Sequence, residues 1–114
     1  MVFTITITAE AESHLRSLLA REQRMLEAAI EARLQHVPTT PTRAIKRLRP
    51  NPLAEFELRV ADLRVLYNVE GKEVVLLVIG RKAGNQLIVE GEAYHGHQDN
   101  PPQSTGDGPG RDAQ

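Results

Sequence analysis

Residues 56–69 read Phe56-Glu-Leu-Arg-Val-Ala-Asp-Leu-Arg-Val-Leu-Tyr-Asn-Val69, and this stretch decides the fold. Phe56, Leu58 and Val60 alternate with Glu57 and Arg59, with Glu55 continuing the polar side, as a half-buried strand demands. Ala61-Asp62 then serves as a two-residue hairpin loop, although it lacks the glycine such loops favour. That loop sets Val60 opposite Leu63, Leu58 opposite Val65 and Phe56 opposite Tyr67, which makes one face of the ribbon apolar throughout. Tyr67 on that face reads as a core residue. On the other face Arg59 stands opposite Arg64, and directly opposed like charges destabilise a sheet. Either Glu57 and Asp62 neutralise the pair or an external anion does. A solvated, internally paired strand face is the plainer reading.

Downstream, Val74-Val-Leu-Leu-Val-Ile-Gly-Arg-Lys82 is apolar on both sides. The spacing predicts a strand from about Glu73 to Arg81. Unbroken alternation puts Val74, Leu76 and Val78 on the Tyr67 face, and Val75, Leu77 and Ile79 on the Arg64 face with Leu66. A strand apolar on both faces is buried on both. The helices of this chain cover one face, so Leu66, Val75, Leu77 and Ile79 need the C-terminal segment, a second copy or a partner protein.

Upstream, Phe3, Ile5 and Ile7 alternate with Thr4, Thr6 and Thr8, a strand pattern. Thr8 fits a helix N-cap, with Glu10 and Glu12 in a first turn that favours acids. A first helix is expected over 9–21 and a second over 22–36, either as one bent helix or as a hairpin, until Pro38 and Pro41 stop them. His14 and His36 on these helices read as surface residues. Ile45–Arg49 is a short strand ended by Pro50 and Pro52, and residues 86–94 read as extended. From Gln98 onward no apolar side chain exceeds alanine, so 98–114 is expected to be a disordered tail behind one domain of residues 1–97. The order is β-α-α-β-β-β with a further extended piece, an α+β fold: an antiparallel sheet with the helical pair on one face.

The chain has 114 residues, enough for one small domain. It has no cysteine, which excludes disulfides and thiolate metal sites and points to a reducing cytoplasm. The N-terminus lacks the pattern of a signal peptide, and no run approaches the roughly 20 apolar residues of a membrane span. Net charge is −1, yet residues 43–82 carry nine basic and five acidic side chains, while 83–114 carry one basic and five acidic. A basic sheet inside a neutral protein suits an anionic ligand or partner. Lys46, Arg47 and Arg49 form the densest basic cluster, read as phosphate contacts, as a partner surface, or as charges that protect an edge strand. His95-Gly-His97 is a weak metal motif; no metal or cofactor is expected.

Lys46-Arg-Leu-Arg49, then Leu58-Arg-Val-Ala-Asp-Leu-Arg-Val-Leu-Tyr67, then Val78-Ile-Gly-Arg-Lys82 resembles the RelE/ParE superfamily of toxins from toxin–antitoxin pairs, over roughly residues 1–82. The resemblance implies an antitoxin that lays extended and helical segments across the toxin. It also implies one of two targets: messenger RNA cut on the ribosome, or DNA gyrase inhibited without catalysis. RNA cleavage by a 2′-hydroxyl needs cations on the phosphate, a base and an acid. By resemblance, Arg64 matches the arginine at the scissile phosphate and Lys82 matches a C-terminal arginine. Alternation instead puts Arg81 on the Arg64 face, a conflict that a bulge after Gly80 reconciles. Arg59 joins Lys46, Arg47 and Arg49 as a nucleic-acid contact. Two departures stand out: Glu55 and Glu57 replace the lysines of RelE-like toxins, and Ile88 or a neighbour replaces a tyrosine, the nearest being Tyr94. A chain so altered also fits an inactive member kept as an interaction module.

Overall fold

A computed structural model describes residues 2–94. The predicted tail 98–114 and the His95–His97 pair lie outside the described residues.

Strand β1 (Thr4–Ile7) leads into α1 (Ala9–Arg16), whose N-cap is Thr8: its Oγ1 accepts from Ala11 N at 3.1 Å. The helix is shorter than expected. Ser17 ends it by turning its hydroxyl back to the His14 carbonyl at 2.7 Å, an alternative that serine offers a backbone. Leu19 is extended, and α2 (Ala20–Ala29) starts behind it, with Glu22 accepting from Leu19 N at 3.1 Å as half of a capping box. A π-helical turn, Ile30–Leu34, continues α2. The helices are thus two, joined by a turn. Their inward residues Ala11, Leu26 and Leu34 are fully buried.

Strands β2 (Ile45–Arg47), β3 (Phe56–Val60), β4 (Leu63–Glu70), β5 (Glu73–Ala83), β6 (Gln86–Val89) and β7 (Glu92–Ala93) form an antiparallel path in that order. β1 adds parallel to the first part of β5. The α+β arrangement expected from the sequence is the one observed, and the extended piece 86–94 is a hairpin turned at Glu90-Gly91, both at positive φ. The β3–β4 register is Phe56↔Tyr67, Leu58↔Val65, Arg59↔Arg64 and Val60↔Leu63, as the loop length demands. Ala61 takes the positive φ of +55° that a glycine would adopt without strain.

The alternation of β5 is corrected at one point. Leu66 pairs with Val78 and Tyr67 with Leu76, so Leu77 is an extra residue, a bulge. Beyond it every side chain changes face. Ile79 enters the helix-side core with Val65 and Tyr67, and Val78 moves to the other face with Leu66. Tyr67 is the hub of the helix-side core, as expected. Its ring stacks on Phe56 with centroids 5.5 Å apart, and its hydroxyl donates to the Pro38 carbonyl at 2.6 Å. Burial pushes the Tyr67 phenol well above its ordinary range.

The second face is covered by the chain itself. Leu48, Leu53 and Ala54 from the β2–β3 connection, with Leu87, Val89 and Tyr94 from the C-terminal hairpin, pack over Leu66 and Val78. Asn51 shapes that connection. Its Oδ1 accepts from Leu53 N and Ala54 N, and its Nδ2 donates to the carbonyls of Arg49 and Ala54. Of the four residues expected to wait for a partner, Leu66 and Ile79 are sealed at 3% and 1% exposure; Val75 and Leu77 are half-buried. The C-terminal segment, one of the three covers the pattern demanded, shares the work over Leu66 with the β2–β3 connection, while Ile79 is sealed on the helix side.

Candidate functional site

The face of the sheet turned away from the helices carries a basic strip beside the second apolar cluster. Its rows follow from register. Lys46, Glu57, Leu66 and Val78 stand side by side on β2 to β5, and Arg59, Arg64 and Gly80 form the next row on β3 to β5. Lys82 lies two residues beyond Gly80, roughly 7 Å further along β5 on the same face. The bulge at Leu77 therefore resolves the conflict between Arg81 and Lys82. Lys82 shares the face of Arg64, as the resemblance implied, and Arg81 points to the helices.

Arg81 is occupied there. Its guanidinium donates to both Glu22 oxygens, at 3.0 and 3.1 Å, and to Asp62 Oδ2 at 3.4 Å, tying the end of β5 to the start of α2. The hydrogen bond from Arg81, aided by Leu19 N–H, holds the Glu22 carboxyl below its usual range. Arg81 thus has a structural post, and nothing leaves it facing the basic strip.

The opposed arginines are handled unequally. Glu57, buried to 8% exposure, accepts from Arg59 Nε at 3.1 Å, while the Arg59 side chain stays 37% exposed. Asp62, expected to share the neutralisation, is engaged with Arg81 instead. Arg64 has no carboxylate partner among the described residues. Its Nη1 donates to the carbonyls of Ala61 and Leu63, at 2.9 and 2.8 Å, and its Nε is buried with no acceptor among the described residues. A guanidinium donor left unpaired under a protein surface costs free energy that an anionic oxygen recovers. Gly80 faces Arg64 across the ladder. A Cβ there would meet the Ile88 carbonyl oxygen at 2.3 Å, so only glycine lets β6 close over this part of the strip.

The predicted cluster Lys46, Arg47 and Arg49 divides. Lys46 joins the strip, half-buried, in register with Glu57. Arg47 takes the opposite face, its guanidinium 5.1 Å above the Phe56 ring, a cation–π contact that covers the core edge. Arg49 is exposed beyond the end of β2. Alternation alone separates the first two, and the sequence signal for that separation was present. Glu55 is exposed at the strand start and accepts weakly from Val69 N.

Two features had no clear sequence signal. His14, read as a surface residue, is half-buried, and its Nδ1 accepts from Ile79 N at 3.2 Å; His36 is exposed as expected. On the far side of the molecule, a groove of about 610 Å³ runs between β1 and the second helix, with Ile5, Ile7, Leu15, Ile30 and Leu76 among its walls. Thr4 and Thr8 turn their amides toward β5, so those of Ile5 and Ile7 lie on the other edge of β1. There Phe3 N donates to the Gln35 carbonyl, and Ile5 and Ile7 have no backbone partner among the described residues. Among those residues there is no cluster of potential metal ligands and no helix long and apolar enough to cross a membrane.

The fold defines the chain as a small α+β protein with one basic, one groove-bearing side. No family model and no curated protein matches it. Among solved structures it is similar to a chain of the toxin–antitoxin complex RelBE2 from Mycobacterium tuberculosis, at 24% identity and a TM-score of 0.60, over 72% of this chain and 100% of that one. The likeness is one of fold.

Proposed function

We propose that this chain is the toxin of a toxin–antitoxin pair and that it arrests translation by cutting messenger RNA on the ribosome. The fold shared with a chain of RelBE2 supports the first part. The second rests on one observation: Arg64, with no carboxylate partner among the described residues, stands in a strip that also carries Arg59, Lys46 and Lys82. In this reading Arg64 and Lys82 hold the scissile phosphate and stabilise the charge that grows on it during 2′-hydroxyl attack. Glu57, held by Arg59 on the face of Arg64, would take the hydroxyl proton. As the P–O2′ bond forms the P–O5′ bond breaks, and the leaving 5′-oxygen takes a proton from water. Arg81, held by Glu22 and Asp62, keeps the strand end in place.

The antitoxin would neutralise the chain from the other side. The free edge of β1 offers amides to an added strand, and the groove next to it, lined by apolar side chains and by Arg24, Glu27 and Glu31, offers a bed for its side chains. The Leu66–Val78 face, already sealed, is left out of this contact.

Expression of the chain under tight control, with mapping of messenger RNA ends, tests the reading. New ends within coding sequence are expected, and Arg64→Gln should lower cleavage by about 10²-fold, the usual loss for one charge-stabilising donor. Circular dichroism of that variant should match the parent. Growth arrest with unaltered ends would overturn the ribonuclease reading. The gyrase reading is favoured by Glu55 and Glu57 standing where RelE-like chains have lysines. It predicts loss of supercoiling activity when the chain is added to gyrase.

A further inference from the structure

Strand β5 has two partners on one edge, β1 along Glu73–Leu76 and β6 along Arg81–Ala83, with a gap between them. A buried backbone amide facing such a gap needs an acceptor. Ile79 N–H faces it, one turn of the ladder past the Leu77 bulge, and the acceptor is the imidazole of His14 on α1. The same helix grips the C-terminal hairpin on either side of that contact. Ser13 Oγ donates to Glu90 Oε2 at 2.6 Å, where Glu90 sits at a positive φ of +53° in the β6–β7 turn. The His14 ring meets Tyr94 edge-on, with centroids 6.4 Å apart.

We propose that His14 is a proton-operated latch: neutral, it closes the open segment of β5 and pins the β6–β7 hairpin; protonated, it lets both go. The chemistry is specific to the nitrogen involved. Nδ1 can accept from Ile79 only while it carries no proton, so the latched ring is the neutral tautomer with its proton on Nε2. Adding a proton to Nδ1 sets two donors face to face. The charged groups around the ring are Glu10 on α1 and Glu90 in the turn, with the Tyr94 phenol beside them. Burial lowers the His14 pKa below its ordinary 6.5, and the two carboxylates oppose that only in part. Once released, the imidazolium has those carboxylates as partners nearer to water.

The sign follows from linkage. A histidine with a lowered pKa in the latched state leaves the latch at full strength above pH 6.5 and weakens it as pH falls from there toward the latched value. The hairpin that is freed carries Leu87, paired with Lys82, and Val89 and Tyr94, which cover Leu66 and Val78. Opening it therefore loosens the border of the basic strip. This consequence depends on the proposed function, but the latch does not.

Amide exchange and nitrogen–proton correlation spectra of the full chain, recorded from about pH 8 to about pH 5, test it across the range where histidine titrates. The protection factor of Ile79, corrected for intrinsic exchange, should fall by up to about tenfold per pH unit between the released and latched pKa values. Resonances of residues 87–94 should move with the same midpoint as the His14 ring. His14→Asn places an amide oxygen where Nδ1 was and cannot titrate, so Ile79 protection should persist and become flat with pH. Flat protection in the parent, or an unchanged midpoint for residues 87–94 in His14→Asn, would overturn the latch. Neither readout requires toxicity or RNA cleavage, so failure here is separable from failure of the proposed function.

Discussion

The two faces of the sheet bury apolar side chains by different means. On the helix side, thirteen buried residues form one cluster under two helices, with Tyr67 at its centre and hydrogen-bonded to Pro38. On the other side the buried cluster is only four residues, Leu66 and Val78 of the sheet with Ala54 of the covering loop and Val89 of the covering hairpin. Both faces are dry at their middle. Their covers differ in how the backbone is satisfied: the helices bond their own, the hairpin uses a strand ladder, and the β2–β3 connection depends on the Asn51 side chain. The thin face is also the one with the basic strip, so the region suited to anions borders the smaller of the two cores.

Matched truncations are the strongest way to break that contrast. Leu58→Ala, beneath the helices, should cost about 4 kcal/mol, because its rigid surroundings keep the cavity open. Leu66→Ala, on the other face, should cost about 2.5 kcal/mol, since the loop and hairpin can settle into the space. Urea denaturation of both variants gives the comparison, and equal costs would mean the two covers are equally stiff. Asn51→Ala sharpens it next. Losing the side chain that makes four hydrogen bonds to the β2–β3 connection should cost about 2 kcal/mol and raise amide exchange in residues 48–55, leaving α2 unchanged. Loss of protection in α2 as well would tie the two cores into one cooperative unit. The smallest effect has the opposite sign. Ala61→Gly should stabilise the chain by about 1 kcal/mol, because glycine adopts the +55° φ of the hairpin loop without the Cβ clash, less its greater entropy when unfolded. A thermal midpoint that fell instead would show that the entropy of the freed loop outweighs the strain.

The parts legible in the sequence are those where polar and apolar residues alternate or where a cap has its own side chain. Glu57 and Arg59 between Phe56, Leu58 and Val60 leave β3 only one way to face, and the two-residue loop carries that choice into β4. A one-residue slip would bury charges, which is why the register of Arg59 and Arg64 could be written down without coordinates. Thr8 likewise announced the start of α1. The break at Ser17 was less visible, since serine and Leu18-Leu19 fit a helix interior as well as its end. The division of Lys46 from Arg47 was available from period two alone, yet a run of basic residues reads as a patch until its strand is known.

Sequence by itself determined the hairpin, its register, an N-terminal helical region and a basic surplus in the sheet, because polar and apolar side chains there tolerate only one environment. The split into two helices came from the fold. Tertiary structure alone decided where Ile79, Arg81 and Lys82 point. The run Val74–Ile79 is apolar at every position, so an extra residue at Leu77 exposes nothing polar and leaves no trace in the pattern. Only the pairing with β4 shows it, and the open edge of β5 between β1 and β6 takes its hydrogen bond from a histidine on a distant helix.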